Sequence, residues 1–566
     1  MARHLITSAL PYINGVKHLG NLVGSMLPAD VCARALRAQG HDVLLICATD
    51  EHGTPAELAA READQSVAEY CAEQHDVQRA LCDRFDLSWD WFGRTSRPQN
   101  HELTQHFARA LAAAGLTEVR VTRQIYSPID GRFLPDRYVV GTCPNCGYER
   151  ARGDQCENCT KQLDPTELID PRSAVSGSTE LEVRESPHLF LLQSKLSDRL
   201  REWLDQRSDW PVLVTSIARK WLDEGLGDRG ITRDLEWGVP VPASDFPELV
   251  GKVFYVWFDA PIGYIAATKE WSDAAPEARD WRSWWRTDAG ADEVTYTEFM
   301  AKDNIPFHTL SFPSTLLGSA EPWKLVDRLK GFNWLNYYGG KFSTSEGRGV
   351  FMDDALELLP ADYWRWYLMA NAPESDDTSF TWELFGDAVN KDLVGTLGNF
   401  VNRTVTQIDR HFDGAVPADG EPGEIEAGLI ARVRELLDEY LGCLDRLEYR
   451  KAAAALRATW AEGNVYLEAR EPWRAVKTDP ALAAMTLRTA VGLIRLHAVT
   501  SAPFMPNAAR ALEGVAGPSA DQVLTASLVD GVLEVEPGTP VSSPGLLFKK
   551  LAPEDLEAWE SRFGGG

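Results

Sequence analysis

Apolar positions recur along the chain with two different periods, and the changes of period predict its secondary structure. The first apolar, β-branched run, Leu5-Ile6-Thr7, ends in a proline and an Asn-Gly turn, and a helical pattern begins after Gly20. Helical spacing over 25–39 leads through a glycine to a continuous apolar run at 41–47, which is typical of a buried parallel strand. This order of strand, helix and strand predicts an α/β, Rossmann-like nucleotide fold, in which ligands sit beyond the carboxyl ends of the strands.

The pattern changes again further along the chain. Short strands and turns begin at about 117, and an apolar run at 253–258 predicts another strand. From about 384 the spacing is helical, apart from a break at 413–423 that is rich in Gly, Pro and Asp, and it predicts a helix bundle. Gly and Pro residues beyond 537 predict a mostly irregular tail.

These changes predict several domains, as the length of 566 residues also does. We expect the following regions: 1–116 and 251–330 as two halves of the Rossmann-like domain, 117–250 as an insertion, 331–385 as a loop-bearing region and 386–566 as a helical domain. No segment approaches the ~20 consecutive apolar residues of a membrane span, and a strand pattern occupies the place of a signal peptide. We therefore expect a cytoplasmic protein.

The net charge of −27 restricts the function classes. Non-specific nucleic-acid affinity comes from neutralising phosphates, so this charge argues against a general nucleic-acid coat. It leaves room for a protein that meets one RNA through local basic and aromatic patches.

Nine cysteines without a secretory signal do not indicate a disulfide framework. Five of them lie in apolar or helical patterns and are expected to be packing residues: Cys32, Cys47, Cys71, Cys82 and Cys443. The other four form a Cys-x2-Cys-x9-Cys-x2-Cys pattern: Cys143, Cys146, Cys156 and Cys159. Two such knuckles complete a closed four-thiolate site, which predicts one structural zinc ion, with iron as the alternative metal.

Two glycine-containing stretches carry candidate phosphate chemistry. The first, His18-Leu19-Gly20-Asn21, lies where a strand, a turn and a helix N-terminus would meet, although by itself it fits a surface turn as well. The second, at 339–349, combines glycines and small hydroxyls with Lys341 and Arg348, and it could close over a triphosphate.

Together the two stretches resemble the signatures of the class I aminoacyl-tRNA synthetases, usually written HIGH and KMSKS. Here they read His18-Leu19-Gly20-Asn21 and Lys341-Phe342-Ser343-Thr344-Ser345. Further segments resemble the methionyl-tRNA synthetase family over nearly the whole chain: Ala9-Leu10-Pro11-Tyr12, Thr49-Asp50-Glu51-His52-Gly53, Thr232-Arg233-Asp234-Leu235, the run 255–264 and the run 302–308.

The resemblance implies a ligase that activates L-methionine with ATP and Mg²⁺ to methionyl-adenylate and pyrophosphate, and then transfers methionine to tRNA(Met). It implies that 117–250 is the connective peptide with a zinc knuckle, without a separate editing domain, that 331–385 contains the KMSKS loop and a stem-contact region, and that 386–566 binds the anticodon. It implies catalytic roles for His18, Asn21, Lys341 and Arg233, and ATP contacts for His18, Gly20, Asn21, Lys341, Thr344 and Asp303.

The resemblance also implies two further sets of contacts. The methionine pocket would contain Ala9, Leu10, Tyr12, Asp50, Trp257, Ala260, Pro261, Tyr264, Phe307 and His308. The anticodon would meet Asn399, Arg403, Pro472 and Trp473. From the residues alone other interpretations remain: Asp50 as a helix N-cap, each aromatic as core, and the segment around Trp473 as a packed helix end.

Two departures from the family motifs affect the chemistry. Asn21 stands at the final His of HIGH, and Thr344 stands at the second Lys of KMSKS. Asn21 can still donate through its amide, whereas Thr344 removes a charge-assisted contact worth roughly 1.5–3 kcal/mol. The hypothesis is that Lys341, with Arg348, provides the whole positive charge of the loop.

Two other functions remain open at this point. One is a nucleotidyltransferase that activates a small acid without tRNA, which would have no use for the helical domain around Trp473. The other is a zinc-ribbon scaffold that binds RNA and does not bind ATP. Nothing resembles an additional carboxyl-terminal dimerisation domain, so we expect a monomer.

Overall fold

The computed structural model describes residues 1–153, 156, 158–159, 161, 163–344, 347–517 and 523–564. Its strands are β1 Arg3–Ser8, β2 Asp42–Thr49, β3 Trp91–Arg94, β4 Thr117–Ser127, β5 Arg132–Phe133, β6 Val139–Thr142, β7 Ala151–Arg152, β8 Ile169–Ser173, β9 Glu182–Leu191, β10 Arg229–Gly230, β11 Thr232–Arg233, β12 Val253–Phe254, β13 Val294–Ala301, β14 Arg328–Phe332, β15 Leu335–Tyr337, β16 Gly340–Lys341 and β17 Thr378–Phe380.

More residues lie in α-helices than in strands, and helices form most of the carboxyl-terminal third of the chain. They are α1 Leu19–Asn21, α2 Leu27–Ala38, α3 Thr54–Glu62, α4 Val67–Arg84, α5 Pro98–Ala113, α6 Ser197–Asp205, α7 Val212–Asp223, α8 Val256–Asp273, α9 Arg282–Trp285, α10 Phe312–Gly318, α11 Met352–Leu358, α12 Ala361–Ala370, α13 Trp382–Ala388, α14 Asn399–His411, α15 Glu424–Asp445, α16 Tyr449–Arg470, α17 Pro472–Thr478, α18 Pro480–Ser501, α19 Pro506–Ala516 and α20 Pro553–Phe563. Segments Leu22–Met26, Phe307–Ser311 and Val389–Gly398 are π-helical.

The central sheet has five parallel strands in the order β14, β13, β1, β2, β3. The first strand of the chain is therefore its middle strand, and strands on both sides of it arrive by crossover connections. Because the strands are parallel, their carboxyl ends meet at one edge of the sheet, where the chain continues into the Pro11 and Asp50 segments. The Rossmann-like α/β prediction is confirmed.

The predicted strand over 253–258 is wrong beyond its first two residues. Only Val253–Phe254 is extended, and α8 begins at Val256. This helix is buried on nearly every side, so its apolar residues show no amphipathic period that would distinguish it from a buried strand. The correction matters because it places Trp257 in the first turn of a helix.

The insertion contains two antiparallel sheets. One has the order β10, β9, β4, β5, and the other, β7, β6, β8, lies beside the cysteine cluster. The second sheet and the cysteines share a small core of their own, which includes Tyr138, Val139 and Cys156. Buried apolar residues between Leu189 and Leu249, apart from Leu235, instead share a core with the central sheet.

The helical region packs directly on the part of the chain that contains the central sheet. One hydrophobic core runs from Ile6 through Trp364 to Val532. At its junction Arg365, which has no exposed surface, donates to Asp30 Oδ2 of α2 at 2.7 Å and to the carbonyl oxygen of Phe504 at 2.8 Å. A charge buried this deeply is stable only with such partners, so the junction fixes how the two parts meet.

The tail beyond 537 is irregular only as far as Ala552, so the prediction of a mostly irregular tail is partly wrong. The helix α20 follows, and its Trp559 and Phe563 rings lie 5.3 Å and 5.7 Å from the Trp382 ring, centroid to centroid. Leu556, Trp559 and Phe563 have the spacing of one helix face, which the nearby glycines and prolines obscured in the sequence.

Among the described residues one helix, α18, is long and apolar enough to cross a membrane by length and composition. The sequence analysis did not expect a segment so close to the length of a membrane span. In the fold 83% of its most apolar window is buried, as in the core helix of a bundle.

Candidate active site and metal cluster

A cavity of about 1160 Å³ opens at the carboxyl ends of β1, β2 and β13. It contains every residue that the sequence assigned to catalysis, ATP or methionine except Arg233: Ala9, Leu10, Tyr12, His18, Gly20, Asn21, Asp50, Trp257, Ala260, Pro261, Tyr264, Asp303, Phe307, His308, Lys341 and Thr344. These residues come from six separate stretches of chain. Their convergence on one cavity makes it the candidate active site.

The segment at 18–21 is held by a reciprocal pair of hydrogen bonds. The Asn21 backbone N–H donates to His18 Nδ1, and the His18 N–H donates to Asn21 Oδ1, both at 3.2 Å. Burial and the Lys17 cation lower the pKa of His18 to about 3, so the imidazole is neutral. Since Nδ1 accepts, the single ring proton is on Nε2, which makes that nitrogen a donor.

Gly20 is required by the packing of this segment. A Cβ there would lie 3.0 Å from His18 Nδ1 and 3.4 Å from the Phe342 ring. The His18 and Phe342 rings are stacked, with centroids 4.9 Å apart. The His18 ring thus lies directly beside Gly20 and connects the first signature with the second.

The Lys341 side chain is exposed and rests on an aromatic ring. Its Nζ lies 4.7 Å from the Trp334 ring centroid, and Lys302 Nζ lies 4.3 Å from the same centroid. Lys302 also pairs with Asp377 at 2.6 Å. The loop therefore has a second cation nearby, Lys302, which the sequence analysis did not consider.

The other proposed cation of the loop, Arg348, is engaged elsewhere. Its guanidinium donates to the Tyr337 carbonyl at 3.0 Å and does not line the cavity. The hypothesis that Arg348 shares the phosphate charge with Lys341 is therefore not supported by its position. Thr344 lines the cavity and is exposed, and Ser345 lies outside the described residues.

Asp50 lies at the end of β2 and is not a helix cap. Its backbone N–H donates to the Pro11 carbonyl and its carbonyl accepts from Ile13 N–H, both at 2.9 Å, while Gly53 occupies the N-cap position of α3. The carboxyl group is buried, and Oδ1 has no hydrogen-bond partner among the described residues. Burial, followed by nearby Asp259 and Glu51, raises its pKa well above the ordinary value. Such a group favours a cationic ligand.

An aromatic pocket lies beside Asp50. The Trp257 and Phe307 rings are 3.7 Å apart between centroids, and Tyr12 meets Trp257 edge-on at 6.5 Å. Deeper in, His308 Nδ1 lies 2.9 Å from the Asn304 carbonyl oxygen, and Tyr264 Oη lies 2.8 Å from His308 Nε2.

This hydrogen-bond chain fixes the protonation of His308. A carbonyl oxygen only accepts, so Nδ1 carries the proton, and Nε2 accepts from the Tyr264 hydroxyl. Burial lowers the pKa of His308 to about 4, which keeps the ring neutral. The pocket therefore has apolar walls and an uncharged polar end, which suits a thioether side chain.

Two supporting features were missed by the sequence analysis. Asp259 Oδ2 lies 2.6 Å from His52 Nδ1 and accepts from Asn100 Nδ2 at 3.1 Å, beneath Asp50. Lys17 is buried in the cavity wall, and burial lowers its pKa to about 7. The position of Lys17 next to His18 in the chain could have indicated its role. The contact between His52 and Asp259 joins positions 207 residues apart, so no local sequence pattern indicates it.

Arg233 lies outside the large cavity. It donates to Asp136 at 3.0 Å, its Cζ lies 3.6 Å from the Tyr255 ring centroid, and it lines a second cavity of about 570 Å³. The second cavity shares Trp257, Pro261 and Phe307 with the first, so the two are separated by a common wall.

The four cysteines of the insertion form a cluster that could bind a metal ion. Their Sγ atoms all lie within 4.8 Å of one another, with 3.8 Å between Cys143 and Cys159 and 3.6 Å between Cys146 and Cys156. A tetrahedron with Zn–S bonds of ~2.3 Å has sulfur separations of ~3.8 Å. A hydrogen bond from the Lys161 backbone, followed by one from Asn145, lowers the pKa of Cys159 to about 6, which favours the thiolate.

The four residues assigned to the anticodon also lie close together. The Arg403 guanidinium lies 4.6 Å from the Trp473 ring centroid and pairs with Glu468 at 2.8 Å. Asn399 is exposed on the preceding turn of the same helix, and buried Pro472 begins α17 beside Trp473. The arrangement offers one aromatic face with amide and guanidinium donors around it.

Comparisons with known proteins agree with this geometry. The family model for class I tRNA synthetases (M) matches residues 4–405, and the model for the anticodon binding domain of methionyl tRNA ligase matches 416–566. The methionine–tRNA ligases of Streptomyces avermitilis and Caulobacter vibrioides are 62% and 60% identical to the chain, with full coverage of both proteins.

A solved structure gives the same result. The Mycobacterium tuberculosis methionyl-tRNA synthetase in complex with methionyl-adenylate superposes with a TM-score of 0.77 at 25% identity, over 97% of this chain and 100% of that one. The family models between them match nearly all of the sequence. The chain therefore belongs to the methionine–tRNA ligase family of class I tRNA synthetases.

Proposed function

We propose that the chain is a ligase that joins L-methionine to tRNA(Met) at the expense of ATP. The observation that carries this proposal is the convergence of both phosphate signatures and the aromatic pocket on one cavity, with Asp50 between them. In the first step a methionine carboxylate oxygen attacks the α-phosphorus of ATP, and the bond to pyrophosphate breaks. In the second step a hydroxyl oxygen of the terminal ribose of the tRNA attacks the methionyl carbonyl carbon, the bond from that carbon to AMP breaks, and AMP leaves with the hydroxyl proton.

Methionine is held at its ammonium group and at its side chain. Its ammonium group meets the buried Asp50 carboxylate, whose Oδ1 has no hydrogen-bond partner among the described residues and whose negative charge this cation stabilises. Its thioether lies between the Trp257 and Phe307 walls and the neutral Tyr264 hydroxyl. A branched side chain has a different shape, and a charged one would lose its hydration without gaining an ionic partner.

The phosphates are held by donors of the two signatures. His18 Nε2–H is the neutral donor, since Nδ1 is already used as an acceptor. Lys17 and Lys341 supply positive charge from the wall and from the loop, where charge accumulates on the phosphate oxygens during reaction. Mg²⁺ bound with ATP would neutralise part of the triphosphate charge. Asp303, which is exposed at the cavity wall, would offer this ion a carboxylate.

The remaining features fit the same activity. We assign one structural zinc ion to the four thiolates, because a closed set of sulfur ligands leaves no position for a reacting water. Trp473, Arg403 and Asn399 would stack on and hydrogen-bond to unpaired anticodon bases. We take the protein to act as a monomer in the cytoplasm, where translation uses its product.

Amino-acid-dependent ATP–pyrophosphate exchange tests this function directly. Methionine is compared with leucine, isoleucine, valine and cysteine on the purified chain. Exchange with methionine alone is expected. Exchange with another amino acid would contradict the assignment of the pocket, and no exchange would contradict the ligase and favour an RNA-binding scaffold.

Replacing Cys146 by Ser should release the bound zinc in a metal assay, whereas the matched change at buried Cys443 should not.

A further inference from the structure

A carboxyl group lies buried in the central sheet, and the proposed chemistry does not use it. Glu298 is in β13, pairs in register with Thr7 of β1 and is 1% exposed. Its Oε1 is hydrogen-bonded to the Tyr296 hydroxyl, which lies 3.2 Å from Thr7 Oγ1. Its Oε2 has no hydrogen-bond partner among the described residues. Glu298 does not line the large cavity, so any part that it plays in the reaction is exerted through other residues.

The surroundings of this carboxyl group keep it uncharged. In the described part of the chain no lysine, arginine or histidine forms a salt bridge with Glu298. A carboxylate that is buried without a cation loses its hydration and gains no partner for its charge, so the group retains its proton. Burial accordingly raises the pKa of Glu298 to about 8. The titratable groups of this region include no cation at neutral pH, and they are Tyr296 of the same strand, Tyr264 of α8, Cys47 of β2, Asp50 and neutral His308.

Glu298 is connected to the methionine pocket through Tyr264. The Trp285 ring packs edge-on against the Tyr296 ring, 4.9 Å away between centroids, and its indole N–H donates to Thr268 Oγ1 at 2.8 Å. The Thr268 hydroxyl in turn donates to the Tyr264 carbonyl oxygen, also at 2.8 Å. After burial, the charge of Glu298 is the largest influence that raises the pKa of Tyr264. A change of charge at Glu298 therefore acts on the hydroxyl at the polar end of the pocket.

We infer that Glu298 is a positioning residue of the methionine pocket, which supports methionine binding as a neutral acid and opposes it as a carboxylate. The inference rests on the proposed function and adds a pH-sensitive control of its amino-acid site. While the acid is neutral, the Tyr264 hydroxyl donates to His308 Nε2.

Loss of the Glu298 proton to solvent would disturb this arrangement. An unpaired negative charge in the low-dielectric interior attracts nearby hydrogen-bond donors strongly, so the Tyr264 hydroxyl proton turns away from His308. His308 Nε2 then lacks its donor and presents an unpaired acceptor to the thioether, which cannot satisfy it. Methionine therefore binds preferentially to the neutral form.

An isosteric variant and a matched control test the inference. Glu298→Gln keeps the size of the side chain and an oxygen for the Tyr296 hydroxyl, but it cannot ionise. Glu293→Gln makes the same change at an exposed position immediately before β13. Thermal midpoints at pH 7 and pH 9 show whether each variant is folded. If Glu298→Gln is unfolded, Glu298→Met, which is also neutral and of similar length, replaces it.

The measurement is the pH dependence of KM for methionine in pyrophosphate exchange. With a pKa of about 8, the neutral fraction of Glu298 falls from about nine-tenths at pH 7 to about one-tenth at pH 9. The KM of the unaltered protein should therefore rise about tenfold more over this range than that of Glu298→Gln. The kcat values should keep the same pH dependence within about twofold, because saturating methionine selects the neutral form. The ammonium group of methionine titrates equally with both proteins, so their ratio isolates Glu298, and Glu293→Gln should follow the unaltered protein.

Three results would overturn the inference. The same rise of KM in the unaltered protein and in the neutral variant would mean that Glu298 does not control methionine binding. A loss of kcat that follows the loss in KM would mean that its ionisation disturbs the whole site and not the amino-acid pocket. A KM at pH 7 that is more than about tenfold higher in Glu298→Gln would mean that the carboxylate, and not the acid, supports binding. Absence of exchange in the unaltered protein at pH 7 would contradict the proposed function and is recognised before any variant is made.

Discussion

The two signature segments meet at stacked rings, but the protein holds them in opposite ways. The segment at 18–21 is closed by reciprocal hydrogen bonds, and its neighbouring cation, Lys17, is buried. The loop from 341 instead carries an exposed cation, Lys341, which rests on the face of Trp334. One segment is held by its own hydrogen bonds, and the other presents its charge at the surface.

This difference explains how the chain tolerates each departure from the family motifs. Asn21 takes part in the reciprocal hydrogen bonds, so its amide oxygen has a structural role that a carboxamide fills well. Thr344 is exposed at the cavity and makes no comparable contact that the structure describes. The departure at 21 is therefore integrated into the fold, whereas the departure at 344 changes only the charge presented to phosphates.

The largest effect is expected at the exposed cation, Lys341. Lys341→Ala should lower methionine-dependent pyrophosphate exchange by about a hundredfold, as removal of a preorganised electrostatic contact typically does. The thermal midpoint should hardly change, because the side chain is exposed. Lys391→Ala, at an exposed lysine of the bundle, is the control. A loss of less than about tenfold would show that the loop does not depend on Lys341.

A second, smaller effect separates the two roles of Asn21, which are the hydrogen bond with His18 and the proposed contact with phosphates. Asn21→Asp keeps a side-chain oxygen that accepts from His18 N–H but adds negative charge where phosphates bind, so exchange should fall about tenfold with the thermal midpoint retained. Asn21→Ala removes the hydrogen bond and should destabilise the segment by about 1 kcal/mol. If both variants lost stability equally, the reciprocal hydrogen bonds would not be what holds the segment.

A third change tests the missing charge of the loop. Thr344→Lys should raise the rate of exchange several-fold, up to about tenfold, because it restores a charge-assisted contact. Thr344→Met introduces a side chain of a length similar to that of lysine but without the charge, and it should leave the rate unchanged. No gain from the lysine would mean that Lys302, 4.3 Å from the Trp334 ring centroid, already supplies this charge.

The smallest effect is a pH dependence of the rigid segment. Burial lowers the pKa of Lys17 from 10.5 to about 7, so the unfolded chain binds more protons between these values. The penalty for burying the cation is fully present below pH 7 and disappears as pH rises towards 10.5. Lys17→Met should therefore raise the thermal midpoint at pH 7 and raise it less at pH 9.5. An equal difference at both values, as expected for exposed Lys220→Met, would contradict a buried cation.

Much of the site could be predicted because local sequence carries it. A strand followed by a turn and a helix N-terminus identifies His18 and Gly20, and two paired cysteines identify a metal cluster without knowledge of the fold. Asp50 was ambiguous, since a carboxylate before a helix is either a cap or a ligand. Only the observation that Gly53 caps α3 resolved it.

The errors have a common physical origin in long-range contacts. The run 253–258 is apolar on all sides because α8 is enclosed by the fold, so its period could not be read. The turn of Arg348 towards the Tyr337 carbonyl, the contact between His52 and Asp259, and the docking of α20 on Trp382 all depend on tertiary packing. No local pattern reports which of several partners a side chain will meet.

The buried Arg365 junction has a consequence for how the molecule comes apart. Its guanidinium is bonded both to α2 of the nucleotide fold and to the turn after α18 of the helical region, within one continuous core. Separating the two regions would leave a charge without partners in an apolar surface. We therefore expect the nucleotide fold and the helical region to unfold as one cooperative unit, so that neither is an independent module for recombination with other proteins.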